Sequence, residues 1–267
     1  MTDHDEWMRR VYSEETWSLY NMLEESLDPR APDVLHQIAA DLLSPGDTVL
    51  DAGCRDAAHL IRLVQANDIS GVGVDPVPIH IERARLAVAA AGLEARIQLV
   101  EGIVDDAPLR DGYFDFTWCR DVLEQVGDLP AAVAGMARLL KRGGSMLVFT
   151  NVVTDLLEPG ELTMLGHHKG NVMSNLFEEN LVAAFDDSGF RIVNRDSVGT
   201  EWREYAEERT QPVSKNLLEL ARLRRRARDI RAIWGHDVYA HVEANLHWEL
   251  FQFLGKLEPV IFVLERD

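Results

Sequence analysis

The stretch VLDAGCRDAAHL, residues 49–60, joins a short apolar run to a helix start through a tight turn. The run TVLDA is typical of a buried strand, and a helical pattern begins near Ala57. Gly53 follows the strand directly, so the backbone there can approach a ligand with no side chain between them. Ligands of open α/β sheets bind at this edge, beside a helix N-terminus. The stretch therefore predicts an α/β fold with a ligand site after its first strand.

Strands and helices alternate outward from this stretch. Helices are predicted from Ala57 to about Ala66, from Pro78 to Ala91 and from Pro130 to Leu140, where KRGG supplies a helix stop. Short apolar runs between helices indicate a parallel sheet covered on both faces. The strands are TVLDA, GVGVD, IQLVEG, FDFTWC, SMLVFT, FRIVNRDSV and PVIFVLE. The expected fold class is α/β, a Rossmann-like seven-stranded, mostly parallel sheet with N-terminal helices and a C-terminal helical insert.

Four units are predicted along the chain. Residues 1–45 form an N-terminal helical cap, with helices over 14–28 and 33–43, and residues 46–200 form the cofactor-binding domain. Residues 201–255 form a helical insert, as a lid or a dimer contact, and residues 256–267 form the last strand. The stretch NVVTDLLEPGELTMLGHHKGN, residues 151–171, is expected to be a loop.

Composition narrows the classes of partner. The formal net charge of −18 opposes binding to nucleic acid or to an anionic membrane, and no apolar run reaches the length of a membrane span. The acidic N-terminus does not resemble a signal peptide, so a cytoplasmic location is expected. The two cysteines lack metal-ligand spacing, so no metal site is expected. The arginine-rich stretch 222–231 indicates a solvated or subunit-contacting helix face, as in a homodimer.

An acidic residue at the second strand adds to the ligand site. Asp75 ends that strand 22 residues beyond Gly53, the spacing at which a carboxylate accepts hydrogen bonds from both hydroxyls of a ribose. Gly53 and Asp75 alone suit a dinucleotide as well as another nucleoside cofactor. The residues therefore predict a nucleoside-type cofactor without choosing among them.

Three ordered motifs within residues 49–150 resemble class I S-adenosylmethionine-dependent methyltransferases of the small-molecule, type 11-like kind. They are VLDAGC, GVGVDPVPIHIERAR and the run from VEGIVDD through WCRDVLEQV to LLKRGGSMLVFT. The family pattern D-x-G-x-G-x-G falls on Asp51, Gly53, Arg55 and Ala57, so one glycine of three is present. The resemblance implies S-adenosylmethionine as cofactor and methyl transfer to a small-molecule acceptor.

The resemblance also implies a set of cofactor-binding residues. Arg55 would crowd the methionine end of the cofactor or pair with its carboxylate, and Ile103 and Val104 would contact the adenine where the family often has Gly-Asp-Ala. Cys119 and Arg120 would lie near the methionine amino group and the sulfonium. The full set is Asp51, Gly53, Arg55, Asp75, Pro76, Ile103, Val104, Cys119 and Arg120.

The residues that bind and activate the methyl acceptor are expected in the loops and the insert. His167 and His168 follow the fifth strand, and Asp121 follows the fourth, so these three are the predicted catalytic residues. The stretch TEWREYAEE mixes aromatic and charged groups suited to a binding wall, although an amphipathic surface helix would use the same residues. The predicted substrate-binding residues are Glu201, Trp202, Arg203 and Tyr205.

Two other functions remain open at this point. The substitutions at Arg55, Ala57 and Ile103 would also suit a cofactor-binding regulatory protein that has no turnover. Gly53 and Asp75 would also suit a nicotinamide-dependent oxidoreductase.

Overall fold

All seven strands belong to one sheet in the computed structural model, which describes residues 2–267. The strands are β1 (Thr48–Ala52), β2 (Ser70–Asp75), β3 (Ile97–Glu101), β4 (Phe114–Arg120), β5 (Leu140–Val153), β6 (Phe190–Ser197) and β7 (Leu257–Arg266). The sheet order is β3-β2-β1-β4-β5-β7-β6, and only β7 runs antiparallel to its neighbours. This confirms the predicted Rossmann-like, mostly parallel sheet. The strand order reverses between β1 and β4, which opens a crevice at their carboxyl ends.

Twelve α-helices surround the sheet in the described part of the chain. They are α1 (Asp3–Val11), α2 (Glu14–Glu24), α3 (Val34–Leu42), α4 (Ala58–Ala66), α5 (Pro78–Ala90), α6 (Leu129–Leu139), α7 (Pro159–Met164), α8 (Glu178–Asp187), α9 (Glu201–Thr210), α10 (Pro212–Arg225), α11 (Ala227–Trp234) and α12 (His236–Phe253). No helix within residues 2–267 has both the length and the apolar character needed to cross a bilayer.

Side chains of the central strands pack alternately into two cores. Trp118 packs with helices α3, α4 and α5 on one face, whereas Cys119 packs with α6 and α8 on the other. This alternation follows from the two-residue period of a strand, because successive side chains point to opposite faces. Helices therefore cover both faces, and the polar ends of the strands are left for a ligand site.

The helices between β6 and β7 form a small core of their own. Val213, Leu220 and Leu223 of α10 pack against Tyr239 and Leu250 of α12. Phe251 of α12 also packs with two residues of the segment 165–176, Leu165 and Leu176. The insert is thus anchored next to the connection that follows β5.

One local prediction was wrong, and two local features were not predicted. Residues 3–11 form a helix because Thr2 and Asp5 make a reciprocal capping box at its start. KRGG follows the end of α6, as predicted, but lies within β5, where a register shift between Phe114 and Phe116 accommodates it. The predicted loop after β5 contains α7 and a π-helical turn over 165–169.

The unit boundaries predicted at residues 45, 200 and 255 fall between elements, and the division into units stays a prediction.

Candidate active site

The loop after β1 keeps a glycine-like backbone at three positions. Gly53, Arg55 and Ala57 have φ angles of 75°, 50° and 58°. This left-handed region suits glycine, and a residue with a side chain costs roughly 1–2 kcal/mol there. Arg55 and Ala57 therefore adopt the conformation that the missing glycines would favour. Strain of this kind persists where the surrounding structure imposes it, most often at functional sites.

Hydrogen bonds to β2 impose this loop conformation. The backbone N–H groups of Gly53 and Cys54 donate to the carbonyl oxygen of Val74 at 2.8 and 3.0 Å, and the N–H of Arg55 donates to Asp75 Oδ2 at 2.9 Å. A Cβ at Gly53 would lie 2.3 Å from Val122 Cγ2, so only glycine lets the turn after β4 close over the loop. The Arg55 side chain itself is exposed.

Asp75 links the loop to the next helix. Its Oδ1 accepts from the Val77 N–H at 2.9 Å and lies 3.0 Å from Nδ1 of His80. A carboxylate offers about four lone-pair positions, and these contacts together with the Arg55 N–H use three of them. One acceptor position is left for a ribose hydroxyl.

A buried carboxyl makes this crevice suited to a cation. Asp51 is 3% exposed, and its Oδ2 has no hydrogen-bond partner within residues 2–267. Burial raises the pKa of Asp51 to about 7, with further contributions from Asp75 and Asp56. An ammonium or sulfonium group would relieve this unmatched negative charge, whereas a diphosphate would be repelled. The residues present therefore fit S-adenosylmethionine better than a nicotinamide dinucleotide.

The adenine-side residues lie beyond β2 and β3. Gly102 N–H donates to the Asp75 carbonyl oxygen at 3.1 Å, which holds the two strand ends together. Pro76 and Ile103 are exposed beside this link, and Val104 packs into the core. Pro76 and Ile103 thus offer apolar surface for a flat ring.

Arg120 is held by the residues around the end of β4. Its Nη1 donates to His59 Nε2 at 2.9 Å, and its Nε pairs with Asp121 at 3.2 Å. The guanidinium carbon lies 5.5 Å from the centroid of the Phe149 ring. Cys119, in contrast, is buried in the core, and burial raises the pKa of its thiol. Only the backbone of Cys119 is therefore placed to face the crevice.

Two histidines behind Arg120 were not predicted. His59 Nδ1 lies 3.4 Å from His36 Nε2, and both rings pack against Trp118. Burial lowers the pKa of each histidine to about 4, so both are neutral at pH 7. Because Arg120 donates to Nε2 of His59, the ring proton of His59 lies on Nδ1, toward His36. The pair fixes the orientation of Arg120.

A second polar cluster lies at the ends of β4 and β5. Glu124 Oε1 accepts from the N–H and the Nδ2 of Asn151 at 2.9 and 3.0 Å. Asn151 Oδ1 accepts from Gln252 Nε2 at 2.6 Å, and Gln252 Oε1 accepts from Arg203 Nε at 2.5 Å. Burial, followed by the charge of Asp121, raises the pKa of Glu124 to about 7. Sequence reasoning missed Glu124, because Asn151 and Gln252 build its surroundings from distant segments.

The predicted acceptor residues occupy different environments. His167 and His168 are exposed on the π-helical turn, and the His168 carbonyl oxygen lies 2.7 Å from His241 Nδ1. Arg203 joins the second polar cluster. The other three predicted residues contact other parts of the protein. Glu201 Oε2 pairs with Arg30 Nε at 2.7 Å, and the ring of the buried Trp202 stacks on Phe149 with 4.5 Å between centroids. The Arg209 guanidinium carbon lies 3.6 Å from the centroid of the Tyr205 ring. The described residues contain no group of three potential metal ligands.

Comparisons with known proteins identify one domain. The family profile described as Methyltransferase domain matches residues 50–148. A dimethylglycine N-methyltransferase of Parasynechococcus marenigrum is 26% identical over 164 residues, covering 60% of this chain and 59% of that enzyme. A ubiquinone biosynthesis O-methyltransferase of Xanthomonas campestris is 28% identical over 120 residues, covering 45% and 49%. The chain thus spans less than two thirds of these relatives.

Solved structures share the fold over most of the chain. A putative sarcosine dimethylglycine methyltransferase from Galdieria sulphuraria has a TM-score of 0.67 at 19% identity, covering 88% of this chain and 84% of that one. The cyclase SpnF has a TM-score of 0.69 at 20% identity, covering 88% and 81%. The sheet, the family domain and the relatives agree: residues 50–148 match the methyltransferase domain family, and the chain is similar to class I methyltransferases over this region.

Proposed function

We propose that this chain transfers a methyl group from S-adenosylmethionine to a small-molecule acceptor. The observation that carries the proposal is the left-handed loop at residues 53, 55 and 57 beside the unpartnered Asp51 carboxyl. A strained loop and a buried acid without a partner are both unfavourable in the free protein, and a bound cation would offset the second. The methyltransferase relatives support the same activity.

Several residues would hold the cofactor. Asp75 would accept a ribose hydroxyl, Asp51 would face the positive groups, and the Gly53 backbone would lie close to the methionine end. Pro76, Ile103 and the backbone of Val104 would bound the adenine, and Arg120 would attract the carboxylate. When bound, S-adenosylmethionine supplies an activated methyl group. The protein then needs to align an acceptor and exclude water.

The two competing functions receive less support. Asp51, Asp56 and Asp75 oppose the diphosphate of a nicotinamide dinucleotide at this loop. A regulatory protein without turnover would need the cofactor site but no acceptor site. The SpnF structure shows that this fold also serves a cyclase, so turnover has to be tested directly.

The proposal also covers the class of acceptor, the cellular location and the oligomeric state. A small-molecule acceptor is favoured over nucleic acid because the net charge of −18 opposes a phosphate backbone. Cys54 and Cys119 are free and buried, which suits a reducing compartment such as the cytoplasm. The arginines of residues 222–231 would serve as a contact with a second copy in a homodimer.

Calorimetric titration with S-adenosylmethionine, S-adenosylhomocysteine and NAD tests the proposal. We expect both adenosyl compounds to bind and NAD to give no heat. Asp75→Asn should weaken binding by about 1.5–3 kcal/mol because it removes a charged acceptor. Glu82→Ala, an exposed charge change on α5, should leave affinity unchanged. Binding of NAD alone, or equal affinity for the Asp75→Asn variant, would contradict the assignment.

A further inference from the structure

Polar side chains without partners collect at the carboxyl ends of β4 and β5. Glu124 Oε2 and both amide atoms of Asn171 are buried and have no hydrogen-bond partner within the described residues. Glu124 is 2% exposed and Asn171 is 5% exposed. A buried polar atom left unpaired costs on the order of 1–3 kcal/mol, so several in one place indicate a ligand site.

Backbone contacts bring these residues together. The Val172 N–H donates to the Glu124 carbonyl oxygen at 2.8 Å, which places Asn171 beside the turn after β4. Asn175 Nδ2 reinforces this contact by donating to two carbonyl oxygens of the same turn. Asn151, the hydrogen-bond partner of Glu124, lies at the end of β5. The turn after β4, the end of β5 and the segment 165–176 therefore enclose one polar region.

Lys169 supplies a positive charge without a counter-ion. Its Nζ lies 4.5 Å from the Trp248 ring centroid, and within residues 2–267 it has no ion pair and donates no hydrogen bond. Burial lowers the pKa of Lys169, while the charges of Glu124 and Asp121 act on it in the opposite direction. The other two cations nearby are paired: Arg120 with Asp121 at 3.2 Å and Arg203 with Glu249 at 3.1 Å. One cation and one buried carboxyl are thus left over.

We propose that Lys169, Asn171 and Glu124 form the acceptor subsite, and that the acceptor is an amine or hydroxyl compound that also carries a carboxylate. Lys169 pairs with the acceptor carboxylate, and Glu124 Oε2 receives the proton of the reacting nitrogen or oxygen. This inference rests on the proposed methyltransferase function. It assigns residues that lie outside the cofactor crevice.

Methyl transfer to the acceptor forms one bond, breaks one bond and releases one proton. The lone pair of the acceptor nitrogen or oxygen forms the new bond to the methyl carbon, and the pair of the broken carbon–sulfur bond stays on sulfur. The N–H or O–H proton passes to the Glu124 carboxylate, which becomes a neutral acid. The amide of Asn171 offers a donor and an acceptor to orient the acceptor.

The pH dependence follows from the groups that face Glu124. These are Asp121 and Cys119 from β4 and its following turn, and Lys169 from the segment after β5. The pKa of Glu124 lies at about 7, so the proton-accepting carboxylate forms as pH rises through 7. Turnover should therefore rise with pH across this range and reach a plateau above it.

Matched acceptor pairs test the acceptor class in the full chain. The pairs are sarcosine with its methyl ester and 3,4-dihydroxybenzoate with catechol, each compared for S-adenosylhomocysteine formation. We expect at least about tenfold higher kcat/KM for the carboxylate member of one pair, the size of one desolvated ion pair. Lys169→Met should erase that preference through KM, and Lys169→Arg should retain it. Lys215→Met, an exposed lysine on α10, should change nothing.

Glu124→Gln tests the proton acceptor while keeping the contact to Asn151. We expect kcat to fall by about 100-fold or more, the acceptor KM to stay within about threefold, and the rise of turnover near pH 7 to disappear. Calorimetric affinity for S-adenosylmethionine and the melting temperature should match those of the unmodified chain. A purely structural role for Glu124 would instead lower the melting temperature and leave the pH profile in place.

The outcomes separate this inference from the proposed function. If S-adenosylmethionine does not bind the unmodified chain, the acceptor inference and the proposed function fail together. If S-adenosylmethionine binds but neither pair is methylated, or the uncharged member reacts as fast, the acceptor class is wrong. A Lys169→Met variant that keeps the preference, or a Glu124→Gln variant with the original pH profile, overturns the residue assignment.

Discussion

The left-handed backbone at Arg55 is a local cost that a single substitution can remove. Its φ angle is 50°, its side chain is exposed, and its backbone N–H donates a hydrogen bond to Asp75. Arg55→Gly should raise the free energy of unfolding by about 1 kcal/mol, because glycine adopts this conformation without a clash at Cβ. The shift of the urea denaturation midpoint measures the effect.

Arg55→Ala is the matched control for this substitution. Alanine also removes the guanidinium but keeps the Cβ, so its unfolding free energy should stay within about 0.5 kcal/mol of the original. Equal stabilities for Arg55→Gly and Arg55→Ala would show that the loop carries no strain at this residue.

Between elements, Gln252 joins α12 to β5 and α9. Its amide donates to Asn151 Oδ1 at 2.6 Å and accepts from Arg203 Nε at 2.5 Å, with the side chain buried. Gln252→Ala should lower the free energy of unfolding by about 2 kcal/mol, because both partners lose a buried hydrogen bond. Urea denaturation measures this loss. Gln98→Ala, at an exposed position of β3, should change stability by less than about 0.5 kcal/mol, and an equal loss in both variants would contradict the bridging role.

The same bridge shows what the sequence does and does not predict. Strands, their order of occurrence and the crevice residues Gly53 and Asp75 follow from apolar runs and from the rule that parallel strands end at one edge, whereas Asp51 comes from the resemblance to the methyltransferase family. No such rule predicts the surroundings of Glu124, because Gln252 and Asn171 pack near it from distant segments of the chain. The contact between Asn151 and Gln252 spans 101 residues, and no local pattern specifies how the insert folds over β5. The α1 cap and the β5 bulge are missed for a related reason, since each depends on one hydrogen-bonding detail.

At the scale of the whole molecule, the first two helices stand apart from the cores. Neither α1 nor α2 contains a buried residue, and Trp7, Tyr12, Trp17 and Tyr20 are all exposed. Arg30 connects this N-terminal segment to the rest of the molecule, because it pairs with Asp196 at 2.6 Å and Glu201 at 2.7 Å. The cooperative unit therefore begins near Arg30, because stability depends on buried contacts.

Removal of residues 2–25 tests this boundary. The free energy of unfolding should change by less than about 1 kcal/mol, since the deleted helices contribute no residue to either core. Urea denaturation followed by tryptophan fluorescence measures the change, because Trp118 and Trp202 remain in the core. Arg30→Ala in the full chain is the comparison variant and should lower stability by up to about 1 kcal/mol, since its ion pairs are partly exposed to solvent. A truncated chain that loses several kcal/mol would mean that α1 and α2 pack on the body in solution, and the exposed aromatic residues would then belong to a closed form of the molecule.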